Sequence, residues 1–279
     1  MQPGPTYIKG CPKCSCRIAE ESLLSGNNFG EVVWSDGMND APMLPNLPQL
    51  VLCPDCSTFL WLADLDQVDS STIFGRPEGT KSPNIPTFSD YVDYLSSNKL
   101  KPERERYTRI LAWWAGNHPR RKGGPKKHRP SLTEKEIWNL ECLDQMLDPS
   151  VENERIMKAE IQRELSNFDA ALGFLSQFSR TRTEQVIEEL CNKCDLFVVD
   201  LTSYQTTLEK QKHAIRESRF IQEFRERQEQ EEKVKQKRAL ARARGNKLSI
   251  EAINTGYKLA GVLFVVSYFS YFLRLGNKQ

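Results

Sequence analysis

The chain of 279 residues carries 39 Lys and Arg against 37 Asp and Glu, for a formal net charge of +2, and its residues are 39% apolar and 27% charged. These values exclude a wholly disordered chain, and the length holds one or two domains with cores of their own. The near-neutral total hides segregation, since residues 1–100 hold 6 Lys/Arg and 12 Asp/Glu while residues 101–130 hold 10 and 2, so net charge alone identifies no class of partner.

Near the N-terminus stand two knuckles of one form, Cys11-Pro12-Lys13-Cys14 and Cys53-Pro54-Asp55-Cys56. A C-x2-C turn aims both sulfurs at one point, and two such turns supply the four thiolates that a tetrahedral zinc ion takes at about 2.3 Å. The spacing predicts one structural Zn2+ held by Cys11, Cys14, Cys53 and Cys56, with reduced thiols or a redox pair as the alternative. Four protein ligands would leave no position for water or substrate, which points to a structural metal instead of hydrolysis. Cys16 sits close by, but its spacing from Cys14 breaks the knuckle. The start of the chain lacks a basic stretch followed by an apolar one, so a secretory leader is not expected and the cysteines read as belonging to a reducing compartment.

Around these knuckles short apolar runs alternate with Gly, Pro, Asn and Asp. The runs 31–34, 50–52 and 58–62 predict strands of a small β-rich zinc ribbon over residues 1–74. Residues 75–87, with Pro77, Pro83 and Pro86, read as an exposed linker. Helical spacing begins at Phe88, Tyr91, Val92 and Leu95 and returns at Ile110, Leu111, Trp113 and Trp114, predicting an all-α domain over 88–204 and hence an α+β chain. Adjacent Trp113 and Trp114 read as core packing. Ser131-Leu132-Thr133-Glu134 has the form of a capping box, followed by the stripe Ile137, Leu140, Leu143 and Leu147. A third C-x2-C, Cys191-Asn192-Lys193-Cys194, has no second pair and reads as two small core residues on one helix face.

Between the helical runs lies a basic stretch, 117–129, whose Arg120, Arg121, Lys122, Lys126, Lys127 and Arg129 match a phosphate-binding loop. It lacks interleaved aromatics for stacking on bases, and a solvated loop uses the same residue types. His118, His128 and His213 are scattered among charges without the partners of a metal site or a triad, and no nucleotide-binding or hydrolase motif occurs. The chain is therefore not expected to be an enzyme.

Residues 205–250 are dominated by Glu, Gln, Lys and Arg. Pairs such as Glu223/Arg227, Glu229/Lys233 and Glu231/Lys235 place acid before base at i,i+4, predicting a long solvated helical stalk, with a weak coiled coil or a disordered linker as the alternatives. The segment 259–273 is uncharged and mostly apolar on every side, and with Lys258 and Arg274 snorkelling the span 252–275 reads as a transmembrane tail anchor, with a helix buried against the protein or a partner, or an interfacial helix, as the alternatives. Basic residues cluster before it, at Lys237, Arg238, Arg242, Arg244 and Lys247. That bias predicts a cytoplasmic N-terminal bulk anchored to the inner membrane.

Two stretches carry a resemblance. Ser25-Gly26-Asn27-Asn28-Phe29-Gly30, Trp34-Ser35-Asp36-Gly37 and Ala41-Pro42-Met43-Leu44-Pro45, lying between the knuckles, resemble a group of uncharacterised bacterial zinc-ribbon proteins. In that group Gly usually follows each knuckle, where this chain has Ser15 and Ser57. The run from Ala159 through Phe168 to Leu172 is similar to the turn of a tetratricopeptide repeat, with Ser166 in place of the usual Gly. The resemblance implies a zinc ribbon beside a tetratricopeptide-like region and no known activity. Taken together, these readings predict a membrane-tethered adaptor or scaffold for a protein partner, with a nucleic-acid-binding ribbon as the alternative.

Overall fold

The computed structural model describes residues 1–46, 48–71, 76–121, 131–175 and 181–243. The mix of strands and helices is the expected α+β one, and the chain divides into a compact unit, Met1–Glu209, and a second unit from Lys210 onward.

The strands of the first unit are β1 (Gln2–Pro3), β2 (Thr6–Gly10), β3 (Arg17–Glu20), β4 (Leu23–Ser25), β5 (Val32–Val33), β6 (Asn39–Asp40), β7 (Leu50–Leu52), β8 (Phe59–Trp61), β9 (Gln67–Ser71) and β10 (Thr80–Lys81). They form a four-stranded sheet in the order β10-β3-β2-β9 and the antiparallel pairs β1-β4, β5-β6 and β7-β8. The expected strands at 31–34, 50–52 and 58–62 appear as β5, β7 and β8. Residues 75–87, expected as a linker, supply β10, which pairs in parallel with β3. Asn84 then exchanges backbone hydrogen bonds of 2.9 and 3.0 Å with Leu52. A two-residue strand has too short a side-chain pattern to be seen among prolines.

The helices are α1 (Phe88–Ser97), α2 (Pro102–Arg121), α3 (Glu134–Met146), α4 (Glu152–Glu164), α5 (Phe168–Leu175), α6 (Arg182–Asn192) and α7 (Leu201–Ala243). Helix α1 starts at a Thr87/Asp90 capping box and buries Tyr91, Val92 and Leu95. Helix α3 starts two residues later than its expected cap: Thr133 and Glu136, not Ser131 and Glu134, exchange the capping hydrogen bonds. Glu136 is preferred because its second carboxylate oxygen also accepts from Arg120 at 2.7 Å, so one side chain caps one helix and binds another. Between α4 and α5, fully buried Ala159 and Ala171 let the backbones approach, and Ser166 takes the turn with φ of 68°.

Strand and helix portions of the first unit share one interior. Leu50, Tyr91 and Ala112 pack with Phe59, Trp61 and Phe88, and Phe59 stacks on Tyr94 at 4.3 Å between ring centroids. Of the two adjacent tryptophans Trp113 is buried, its Nε1 donating to Glu164 at 3.1 Å, while Trp114 is half-buried with its Nε1 donating to the Asp36 carbonyl at 3.0 Å. The Asp36 carboxylate sits in the turn between β5 and β6 with a fully buried side chain, paired with Arg121 and accepting from Asn117 Nδ2 at 3.0 Å. Burial lowers the Arg121 pKa to about 10, so the pair is still ionic at neutral pH. On the far side of the same turn, Ser35 N–H donates to the Val199 carbonyl at 2.9 Å, and Trp34 bridges Asp200.

Removing one partner of a buried pair strands the other charge, which costs about 3–5 kcal/mol, whereas an exposed pair is worth under about 1 kcal/mol. Asp36→Asn is therefore expected to lower stability to chemical denaturation by about 3–5 kcal/mol, with part of the loss recovered in the Asp36→Asn/Arg121→Gln double variant. By contrast, Asp64→Asn, which breaks the half-exposed pair with Arg104, is expected to shift the midpoint little.

Candidate metal centre

Each cysteine knuckle is the turn of an antiparallel hairpin. Gly10 faces Arg17 across the β2-β3 pair, leaving residues 11–16 as its turn, and Leu52 faces Phe59 across β7-β8, leaving residues 53–58. The two turns repeat one hydrogen-bond pattern. Cys11 N–H donates to the Cys16 carbonyl and Ser15 N–H to the Cys11 carbonyl, both at 2.9 Å. Cys53 N–H donates to the Thr58 carbonyl at 2.9 Å and Ser57 N–H to the Cys53 carbonyl at 3.0 Å.

Closing such a turn requires left-handed backbone at the residue after the second cysteine. Ser15 has φ of 57° and Ser57 has φ of 54°. Glycine adopts this conformation without cost, while a residue with a Cβ loses about 1–2 kcal/mol. The departure from glycine noted in the sequence therefore leaves the turn in place and strains it at two matching positions.

The first cysteine of each knuckle emerges from a strand end and is buried, with Cys11 3% and Cys53 0% exposed. The second cysteines lie nearer the surface, Cys14 exposed and Cys56 half-buried. Inner and outer positions pair across the knuckles: Cys11 Sγ lies 3.7 Å from Cys56 Sγ, and Cys14 Sγ lies 3.5 Å from Cys53 Sγ. All four sulfurs fall within 4.8 Å of one another. An ion about 2.3 Å from each of four sulfurs at tetrahedral corners places those sulfurs about 3.8 Å apart. The donor set and its spacing thus suit a thiolate-binding metal ion.

The protonation chemistry of the bare cluster has the same implication. The Thr58 hydroxyl, 3.3 Å from Cys56 Sγ, and the Thr58 N–H lower the Cys56 pKa to about 6. At Cys14 the Cys16 backbone N–H favours the thiolate, but desolvation and the sulfurs of Cys53, Cys56 and Cys11 outweigh it and raise the pKa to about 12. Crowded thiols cannot all ionise unaided, and a cation at their centre removes that conflict.

Cys16 is buried in the same apolar cluster as Cys11 and Cys53, but it is not among the converging four. Burial pushes its thiol up to about 12, with Asp55 adding to the effect. Asp55 itself is paired with Lys81 of β10 at 2.5 Å, and that ammonium holds its carboxyl below the usual range. Residues 80–84 thus touch both halves of the centre, a contribution that their Pro- and Gly-rich surroundings conceal. The third C-x2-C places Cys191 in the core beside Ala159, Ala171, Leu175 and Ile187, with its pKa raised to about 11 by burial. Cys194 lies beyond the end of α6, exposed and at φ of 48°, so the two do not share the buried helix face expected of them.

Of the basic stretch 117–129, Asn117 to Arg121 form the last turn of α2. Arg120 pairs with Glu136 and Arg121 with Asp36, with side-chain exposures of 4% and 2%. Both guanidinium groups are thereby committed to holding the fold. Lys122, Lys126, Lys127 and Arg129 lie outside the described residues, as does the span 252–275.

Substituting the two left-handed serines tests the built strain. Ser15→Gly and Ser57→Gly are expected to keep the bound metal and add about 0.5–1 kcal/mol of stability each. Ser15→Val and Ser57→Val force a β-branched residue into left-handed backbone and are expected to lose about 1–2 kcal/mol, with weaker retention of metal. Chelator competition and thermal unfolding on the same preparations check both directions.

Comparison with protein-family models, with curated proteins and with solved structures gives no match.

Proposed function

We propose that this chain is a non-catalytic zinc protein that presents an interaction surface and is tethered to a membrane by its C-terminal segment. The observation that carries the reading is the convergence of four sulfurs from two hairpin turns. Four cysteine ligands fill the tetrahedral shell of Zn2+, so no position is left where water or substrate is activated. Thiolate donors also favour zinc over the hard cations that take oxygen ligands. In this reading the metal ion stabilises the fold, and the chemistry of the protein is recognition of a protein partner. The resemblance of the 25–45 region to bacterial zinc-ribbon proteins supports the same view.

The tether is supported by sequence: an uncharged apolar stretch over 259–273, snorkelling Lys258 and Arg274, and the basic run before it. Among the described residues no helix is long and apolar enough to cross a membrane, so the tether rests on residues 252–275 alone. In this reading the basic run favours a cytoplasmic N-terminal bulk, with the anchor in the inner membrane. The nucleic-acid reading is less well supported, because Arg120 and Arg121 are held in buried ion pairs, and a paired, desolvated guanidinium has little to offer a phosphate.

Fractionation tests the tether. The full chain is expected in the pellet after alkaline carbonate extraction, and a chain lacking residues 252–279 in the supernatant. A full-length chain released by carbonate would contradict it.

A further inference from the structure

Helix α7 runs for 43 residues, about 64 Å at 1.5 Å per residue. From Lys210 to Leu240 every described side chain is exposed or half-buried, yet Phe220, Ile221 and Phe224 are 56%, 44% and 45% exposed. These three span an arc of about 100° on the helix surface. Phe220 and Phe224 stand at i,i+4, where contact between them adds only about 0.2–0.5 kcal/mol to the helix and leaves most of both rings in water.

Their context follows the alternating 3,4 spacing of a coiled-coil seam. Lys210, His213, Glu217, Phe220, Phe224, Arg227, Glu231, Val234 and Arg238 recur at successive steps of three and four residues. Over the eight positions from Lys210 to Val234 the phenylalanines are the central pair, and with Val234 they are its apolar members. Ile221 flanks them, and Ile215 falls on the opposite face and stays in solvent.

We infer that α7 pairs with α7 of a second copy of this chain as an antiparallel two-helix coil, with its two-fold axis beside Gln222. The orientation is decided by charge. In a parallel, in-register pair each seam residue meets its own copy, which keeps the apolar contacts of Phe220, Phe224 and Val234 but sets Glu217 on Glu217, Arg227 on Arg227 and Glu231 on Glu231, each of these three repulsive. An antiparallel pair about Gln222 sets Phe220 on Phe224, Glu217 on Arg227, His213 on Glu231, and the Lys210 stem on Val234. By two-fold symmetry each of these contacts occurs twice. All seam positions over 210–234 then meet seam positions of compatible chemistry. The level pair Arg219 and Arg225 lies off the contact face, so its like charges remain in water.

The apolar part of this contact is two phenylalanine layers, smaller than a standard interface, so association is concentration-dependent at about micromolar strength or weaker. The inference does not rely on the membrane tether and is read in a mild detergent that keeps the full chain in solution.

Sedimentation velocity of the full chain over rising concentration is expected to show monomer passing to dimer. Phe220→Glu/Phe224→Glu is expected to hold it as monomer, with metal content and helix signal unchanged because these side chains are exposed. Glu217→Arg weakens the dimer on the order of tenfold, since the reversed pair occurs twice, and Glu217→Arg/Arg227→Glu restores it. A photo-crosslinking residue placed at Gln228 is expected to attach to the second copy near Arg216. A full chain that stays monomeric, a dimer indifferent to the phenylalanine changes, a charge reversal that the double variant fails to rescue, or a crosslink near Gln228 itself would each overturn the inference.

Discussion

The first unit depends on four sulfurs meeting from two hairpin turns far apart in the chain. Cys14 and Cys53 are 39 residues apart and their sulfurs lie 3.5 Å from one another. Chain segments that distant come together against a closure entropy that grows with loop length, opposed in part by burial of Ile18, Val51, Leu60 and Leu62 beside the knuckles. A metal ion held by the assembled knuckles would add to this, since binding to the native state alone is folding energy. The second hairpin then carries that constraint into the helices, because Leu50, Phe59 and Trp61, just outside the second knuckle, pack on α1 and α2.

A second constraint is electrostatic. Asp36 sits at the tip of the β5-β6 turn, far from its partners in sequence, and binds the C-terminal end of α2, while its neighbours Trp34 and Ser35 hold the segment before α7. Dehydrating that pair is costly, and in the folded chain the carboxylate meets that cost by binding Arg121 and Asn117 together. Elsewhere the helices use the same device, with Arg155 on Glu184 at 2.8 Å and Arg163 on Glu160 at 2.6 Å, all nearly water-free.

The convergence of Cys11, Cys14, Cys53 and Cys56 was legible in sequence because C-x2-C spacing is local and repeated. The α+β division and the apolar stripes of α1 and α3 were legible for the same reason. What escaped was set by distant partners. The capping box of α3 was misplaced because Ser131/Glu134 and Thr133/Glu136 both fit the local pattern, and only Arg120 from α2 decides between them. Arg120 and Arg121 read as solvated cations because nothing nearby in the chain announces Glu136 and Asp36. Ser15, Ser57 and Ser166 stood where related turns place glycine, and all three kept the left-handed turn at the expense of local strain. Strand β10 was hidden because two residues carry no periodicity.

The account turns on the metal, and X-ray absorption at the zinc edge of protein purified without added metal tests it most directly. It predicts about one zinc per chain with four sulfur neighbours at about 2.3 Å and no nitrogen or oxygen in the shell. Metal-free folded protein, or a zinc ion ligated by nitrogen or oxygen, would contradict it.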